Sequence, residues 1–162
     1  MKLIMISTVE YNINYDKIIN ETKNLTYTVK QHTINQDCFV LYRNGFKCDL
    51  PEGYTKETVV NTVKNYDVNQ CCIRILKPMM GYTIHTDKYR WHHTDTYHIV
   101  LQTQPGNYFC YPERMDGPQM IELTDQTVLY KICAKPLHTF INMSEKPRIH
   151  MTFESLIISD DK

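Results

Sequence analysis

Between residues 70 and 158 the chain is built from short segments of alternating apolar and polar character, each closed by a turn signal. Alternation at a period of two over such short runs predicts strands. They are "CCIRILK" (71 to 77), "YTIHTD" (82 to 87), "TYHIVLQT" (96 to 103), "NYFCYP" (107 to 112), "QMIEL" (119 to 123), "TVLYKIC" (127 to 133), "HTFINM" (138 to 143) and "RIHMTFESLII" (148 to 158). Between them "PMMG", "QPGN", "ERMDGP", "TDQ", "AKPL" and "SEKP" supply the Gly, Pro, Asp or Ser that bends need. About eight short strands at this spacing predict a mainly β antiparallel sandwich or barrel, with the jelly roll as its natural form. A smaller mixed α+β domain is the alternative.

The N-terminal part reads differently. "YDKIINETKN" (15 to 24) and "YTKETVVNTVKNY" (54 to 66) are the good helical stretches; in the second, Thr55 can cap the first turn and apolar positions recur at helical spacing. The expected organisation is a single domain over 1–162, with 1–69 as a helical and strand support region and 70–158 as the jelly-roll core. The N-terminal helices are expected to pack on the barrel. No repeat, low-complexity tract or linker marks an internal boundary.

Eighteen basic residues balance eighteen acidic ones, so no overall field favours nucleic acid or anionic lipid. "MKLIMISTVEYN" carries one lysine and a short apolar-leaning run ended by Glu10, which predicts neither a signal peptide nor a membrane anchor. A cytoplasmic protein is expected. Six cysteines (Cys38, Cys48, Cys71, Cys72, Cys110, Cys133) without a C-x-x-C suggest neither a zinc knuckle nor a redox dithiol, and read as reduced core thiols. The tripeptides beginning at Asn20, Asn24 and Asn142 match the glycosylation pattern, without consequence in a chain that is not secreted.

"GYTIHTDKYRWHHTD" holds His-Thr-Asp twice, at His85 and Asp87 and again at His93 and Asp95. On an extended chain such a pair puts an imidazole and a carboxylate on one side, the start of a divalent-metal site. A third ligand is required, and His98, His138 and His150 are the candidates downstream. In "LHTFINMSEKPRIHMTFE" His138 opens one strand and Arg148 the next, joined by the tight "SEKP" turn. Two such strands are expected to run antiparallel and to project both side chains into one interior. Arg148 is then a buried cation in need of a carboxylate, from the protein or from a ligand. The alternative for Arg148 is a solvated strand face, and for His-Thr-Asp a polar loop that meets water.

The order "IRILKP" with "GYTIHTD", then "YHIVLQTQPGNYF", then "HTFINMSEKPRIHMTFE" resembles the aspartyl/asparaginyl β-hydroxylase-like branch of the Fe(II)- and 2-oxoglutarate-dependent dioxygenases. The resemblance covers residues 71 to 157 and implies a double-stranded β-helix, the cupin-like jelly roll. It implies His85, Asp87 and His138 as catalytic iron ligands, Arg148 as the anchor of the 2-oxoglutarate side-chain carboxylate, and His98 as a second cosubstrate contact. It favours the first His-Thr-Asp because "GYTI" precedes His85, and leaves His93 and Asp95 near the pocket mouth. Many relatives carry an arginine at the place of Thr96, so the inner grip on the cosubstrate is expected to be rearranged here. The best-known aspartyl hydroxylases lack the carboxylate ligand that Asp87 offers, which weakens transfer of their substrate.

The implied cofactors are Fe(II), 2-oxoglutarate and O2, and the implied reaction is hydroxylation of an amino-acid residue or small molecule with release of succinate and CO2. The substrate is a protein residue, a free amino acid or a small metabolite; nucleic acid and membrane are not favoured, and the oligomeric state is open. A cupin-like metal-binding protein with the same ligands but no oxygenase reaction is the alternative function, and a metal-free interaction module the third. His150 shares the face of Arg148 and is expected to pack and hydrogen-bond. Tyr97, Tyr108 and Phe109 are candidate pocket walls, and the loop from Lys88 to His93, with the single Trp91, is a candidate lid or an anchored surface loop. Usage of Asn, Ile, Lys and Tyr and the small size resemble bacteriophage proteins, which would put the chain in a host cytoplasm.

Overall fold

Alternation of inward and outward side chains is what lets two sheets share one interior, and the ladders of this chain use it throughout. A computed structural model describes residues 6–9, 16–18, 20, 31–32, 35–43, 46–47, 68–87 and 94–156. Its strands are β1 (Ile6–Val9), β2 (Gln31–His32), β3 (Gln36–Arg43), β4 (Phe46–Lys47), β5 (Val68–Leu76), β6 (Met80–Gly81), β7 (Thr94–Gln102), β8 (Asn107–Tyr111), β9 (Gln119–Glu122), β10 (Leu129–Ile132), β11 (Thr139–Asn142) and β12 (Arg148–Leu156). The larger sheet runs β1-β10-β7-β12-β5-β3-β2, with β4 beside β3, and the smaller runs β6-β11-β8-β9.

From β5 onward the chain passes back and forth between the two sheets. Strands β5, β7, β10 and β12 lie in the larger sheet, and β6, β8, β9 and β11 in the smaller. This interleaving is that of a jelly roll wound as a double-stranded β-helix. Leu76 and Val100 from one sheet and Phe109, Tyr111 and Phe140 from the other meet in a buried cluster that fills one part of the interior. The opposite face of the larger sheet is apolar too: Ile73, Ile99 and Met151 have no exposed surface, and neither does Ile18.

The structure corrects two expectations, on residues 82 to 87 and on the turn before β12. The described part of the support region contributes strands that extend the larger sheet at both edges, β1 pairing with β10 and β3 with β5. Among the described residues only 16–18 and 20 are helical, and the helix expected over 54 to 66 lies outside them. "YTIHTD" forms no ladder; after the short β6 it makes a single bridge, His85 to His138. Strands β11 and β12 are not a hairpin. Each is inside a sheet with both edges occupied, β11 by β6 and β8 and β12 by β5 and β7, so the "SEKP" turn crosses between sheets.

That crossing is held by Asn142, which has no exposed surface. Its amide nitrogen lies 3.2 Å from the Leu76 carbonyl, 3.1 Å from that of Lys77 and 2.8 Å from that of Lys146. Its amide oxygen accepts from the Ser144 backbone N–H at 2.9 Å and hydroxyl at 2.6 Å. The glycosylation-pattern asparagine is thus a structural hub joining β5, β11 and the turn before β12. Among the described residues no helix is long and apolar enough to cross a membrane.

Removing this amide leaves the buried Leu76 carbonyl, the part-buried Lys77 and Lys146 carbonyls and the Ser144 donors without it at once. Asn142→Ala is expected to cost about 2–4 kcal/mol by urea denaturation. Asn20→Ala, at an exposed position, is expected to stay within about 0.5 kcal/mol.

Candidate metal centre

The bridge between His85 and His138 is made by backbone hydrogen bonds in both directions, His85 N–H to the His138 carbonyl at 3.0 Å and His138 N–H to the His85 carbonyl at 2.9 Å. It brings the two rings to 4.4 Å between centroids. Asp87 follows two residues on, tied by its N–H to the Ala134 carbonyl at 3.2 Å. One ligating atom from each of His85, Asp87 and His138 lies within 4.8 Å of the others.

Both imidazoles are oriented the same way. Nδ1 of His85 is 2.7 Å from the Thr83 carbonyl, and Nδ1 of His138 is 2.9 Å from the Pro136 carbonyl. A carbonyl only accepts, so each ring carries its proton on Nδ1 and keeps the Nε2 lone pair for a metal. The Asp87 carboxylate faces these free nitrogens, 3.6 Å from His85 Nε2 and 3.9 Å from His138 Nε2. Phe109 stacks on the His138 ring at 5.2 Å with 15° between planes, and Tyr82 meets His85 edge-on at 5.1 Å. Two neutral imidazole nitrogens and one carboxylate, with the remaining side open to a cleft, fit a divalent metal of the iron type.

A cleft open to solvent lies beside the triad. Phe109, Ile132 and Phe140 line its apolar wall, and Cys72, Arg74, Thr96, His98, Thr152 and Glu154 its polar one. Strand register explains the polar side. On β5, β12 and β7 the even-numbered residues face inward, so Arg74 sits opposite His150, Cys72 opposite Thr152 opposite His98, and Glu154 opposite Thr96.

Arg148 is 1% exposed and carries no carboxylate partner among the described residues. Its guanidinium lies 4.4 Å from the Phe140 ring centre. Nε is 3.1 Å from His150 Nε2, and Nη2 is 2.8 Å from His150 Nδ1. An arginine only donates and a neutral imidazole accepts at one nitrogen, so one of these contacts is a hydrogen bond and the other a close approach of two donors. Burial, with a smaller contribution from Arg74, pushes the Arg148 pKa down to about 9. His150 in turn lies 3.4 Å from His98, which stacks on Phe140 at 5.4 Å. Arg148 is therefore interior, set against the Phe140 ring and His150, and does not itself line the cleft.

Of the other expected residues, Phe109 lines the cleft, whereas Tyr97 and Tyr108 do not. Tyr97 turns to the opposite face of β7 and stacks on Phe153 at 5.1 Å. Asp95 lies in β7 opposite Ser155; His93 and the loop 88–93 lie outside the described residues. Arg74 was not among the sequence candidates. The signal for it was a charged residue inside the apolar segment "CCIRIL", two positions from Cys72 and so on the same face.

No family model matches the sequence, and no curated protein matches it. Solved structures do. An oxidoreductase of the 2OG-Fe(II) oxygenase family from Burkholderia pseudomallei superposes with a TM-score of 0.70 at 14% identity, over 94% of this chain and 84% of that one. A Pseudomonas putida prolyl-4-hydroxylase gives 0.54 at 11% identity, over 94% and 92%. SnoK, a non-heme alpha-ketoglutarate-dependent carbocyclase from nogalamycin biosynthesis, gives 0.51 at 12% identity, over 88% and 72%. This chain shares their fold.

Three histidines of the interior have depressed pKa values. For His138 burial is the main cause, partly opposed by the Pro136 carbonyl and Asp87. For His98 and His150 burial leads and the Arg148 charge adds to it. The folded protein then binds fewer protons than the unfolded chain below the ordinary histidine value of 6.5, so metal-free stability should fall as the solution is acidified through that value. Each of the three is expected to contribute up to about 1.4 kcal/mol per pH unit. Urea denaturation in chelator between about pH 8 and pH 5 measures the slope, and replacing His98 by Gln should reduce it.

Proposed function

We propose that the chain is an Fe(II)- and 2-oxoglutarate-dependent oxygenase, a hydroxylase of an amino-acid residue or small metabolite. The observation that carries the reading is the pair of imidazoles whose Nδ1 atoms are both held by backbone carbonyls, so that both Nε2 atoms and the Asp87 carboxylate face one point beside a cleft. The shared fold supports it, and the aspartyl/asparaginyl β-hydroxylase-like pattern of "GYTIHTD" and "HTFINMSEKPRIHMTFE" is the branch we assign.

His85, Asp87 and His138 would hold the iron. When bound, iron with 2-oxoglutarate and O2 supplies the oxidation, giving succinate and CO2. The protein's own part is orientation and exclusion of water. The Thr83 and Pro136 carbonyls hold the imidazole tautomers, and Phe109 and Phe140 make the wall dry. Arg148 offers its fork to the far carboxylate of 2-oxoglutarate once the Phe140 ring and His150 give way, and that carboxylate resolves the clash of donors at His150. His98 lies between Phe140 and His150 and contacts the cosubstrate chain from the side. A cupin-like metal protein without oxygenase activity needs the triad but no anion anchor, and Arg148 is what favours the oxygenase over it.

Anaerobic addition of Fe(II) and 2-oxoglutarate should produce a weak visible charge-transfer band, followed by succinate when oxygen is admitted. His138→Ala is expected to lose the band. Arg148→Ala is expected to abolish 2-oxoglutarate turnover while retaining the thermal shift on Mn(II) binding. Metal binding with neither band nor succinate in the unmodified protein would assign it to the non-oxygenase cupins.

A further inference from the structure

The guanidinium that a ligand entering the cleft meets first is that of Arg74. It lines the cleft with Asp87 and His85, whereas Arg148 is set against the Phe140 ring and does not. Arg74 starts on β5 opposite His150, and its Nε–H donates to Thr152 Oγ1 at 3.1 Å, so the side chain leans across β12 toward the triad end. Among the described residues that is its one hydrogen bond, which leaves both terminal amino groups without an acceptor.

The group keeps its charge there. Burial works against it, the Asp87 and Glu154 carboxylates work for it, and its pKa stays raised. Asp87 is also a ligand of the candidate metal centre, so metal binding draws on the same carboxylate that faces Arg74.

The interior therefore carries two guanidiniums at different depths. Thr152, where Arg74 is fixed, and His150, which the Arg148 guanidinium contacts, are successive inward positions on β12, roughly 7 Å apart along the strand. The two guanidiniums are thus set at successive steps of one strand face, a spacing that a short diacid can span. Thr96, where many relatives carry an arginine, lines the same cleft and brings no charge to it.

We propose that Arg74 holds the carboxylate at the keto-acid end of 2-oxoglutarate, beside the metal, while Arg148 takes the far one. This rests on the oxygenase reading. Arg74 thereby supplies from β5 the cation that the Thr96 position lacks on β7.

Calorimetric titration of the Mn(II)-loaded protein tests it without turnover, using 2-oxoglutarate and 2-oxopentanoate, which has the keto-acid end but no second carboxylate. Arg74→Gln is expected to weaken both ligands by roughly tenfold or more, and Arg148→Gln to weaken 2-oxoglutarate alone. Arg74→Lys keeps the charge and loses the fork, so it should weaken both by a smaller factor; it serves as the readout if the Gln variant does not fold. Unchanged binding of both ligands in Arg74→Gln, or loss of 2-oxoglutarate only, overturns the assignment. Failure of the unmodified Mn(II) protein to bind 2-oxoglutarate overturns the oxygenase reading itself.

Discussion

The reciprocal backbone bond between His85 and His138 is the contact on which the candidate centre depends. It is a single bridge outside the strands, yet it joins the segment after β6 to the residue just before β11. Each histidine then turns its Nδ1 to the carbonyl two residues before it, Thr83 in one case and Pro136 in the other. The two contacts are alike, and the two Nε2 atoms lie 3.6 and 3.9 Å from the Asp87 carboxylate. Without the bridge, the two imidazoles would have no common reference frame.

The barrel around this bridge is divided. One part is an apolar cluster from both sheets, with Leu76, Val100, Tyr111 and Phe140 among its members. The other holds His98, His150, Arg148, Thr152 and Glu154, buried on the inward faces of β7 and β12. Burying such groups costs free energy unless partners are supplied, and an apolar filling would stabilise the fold better. The arrangement at Arg148, with two donors facing one imidazole and no carboxylate among the described residues, is under-satisfied within the protein. Groups held in that way are suited to receive an anion, and this links the packing of the barrel to the ligand proposed for it.

Alternation made β5 and β7 to β12 legible, because each inward–outward repeat is local, whereas β6 lies in "PMMG", which reads as a turn. The "YTIHTD" segment misled for the same reason: its pattern is strand-like, but no neighbouring strand was available beyond one bridge. The "SEKP" turn read as a hairpin because turn residues report a bend and not which sheet the chain enters next. Asn142 matched a surface modification pattern and proved to be wholly buried, since burial is set by what packs around a residue. Arg74 was passed over because a lone arginine in an apolar strand carries no motif; only its place opposite His150 and its hydrogen bond to Thr152 reveal where its charge lies.

The order of residues determined the metal-ligand types, their protonation requirement and the strand content, all of which depend on side-chain chemistry or nearest-neighbour periodicity. That His85 and Asp87 cluster with His138, which tautomers the two histidines adopt, and that Arg74 lines the cleft were decided by the tertiary structure. Those are questions of position between segments far apart in the chain. They are answered by the pairing of β12 with β5 and β7 and by the bridge across the sheets, which no local pattern encodes.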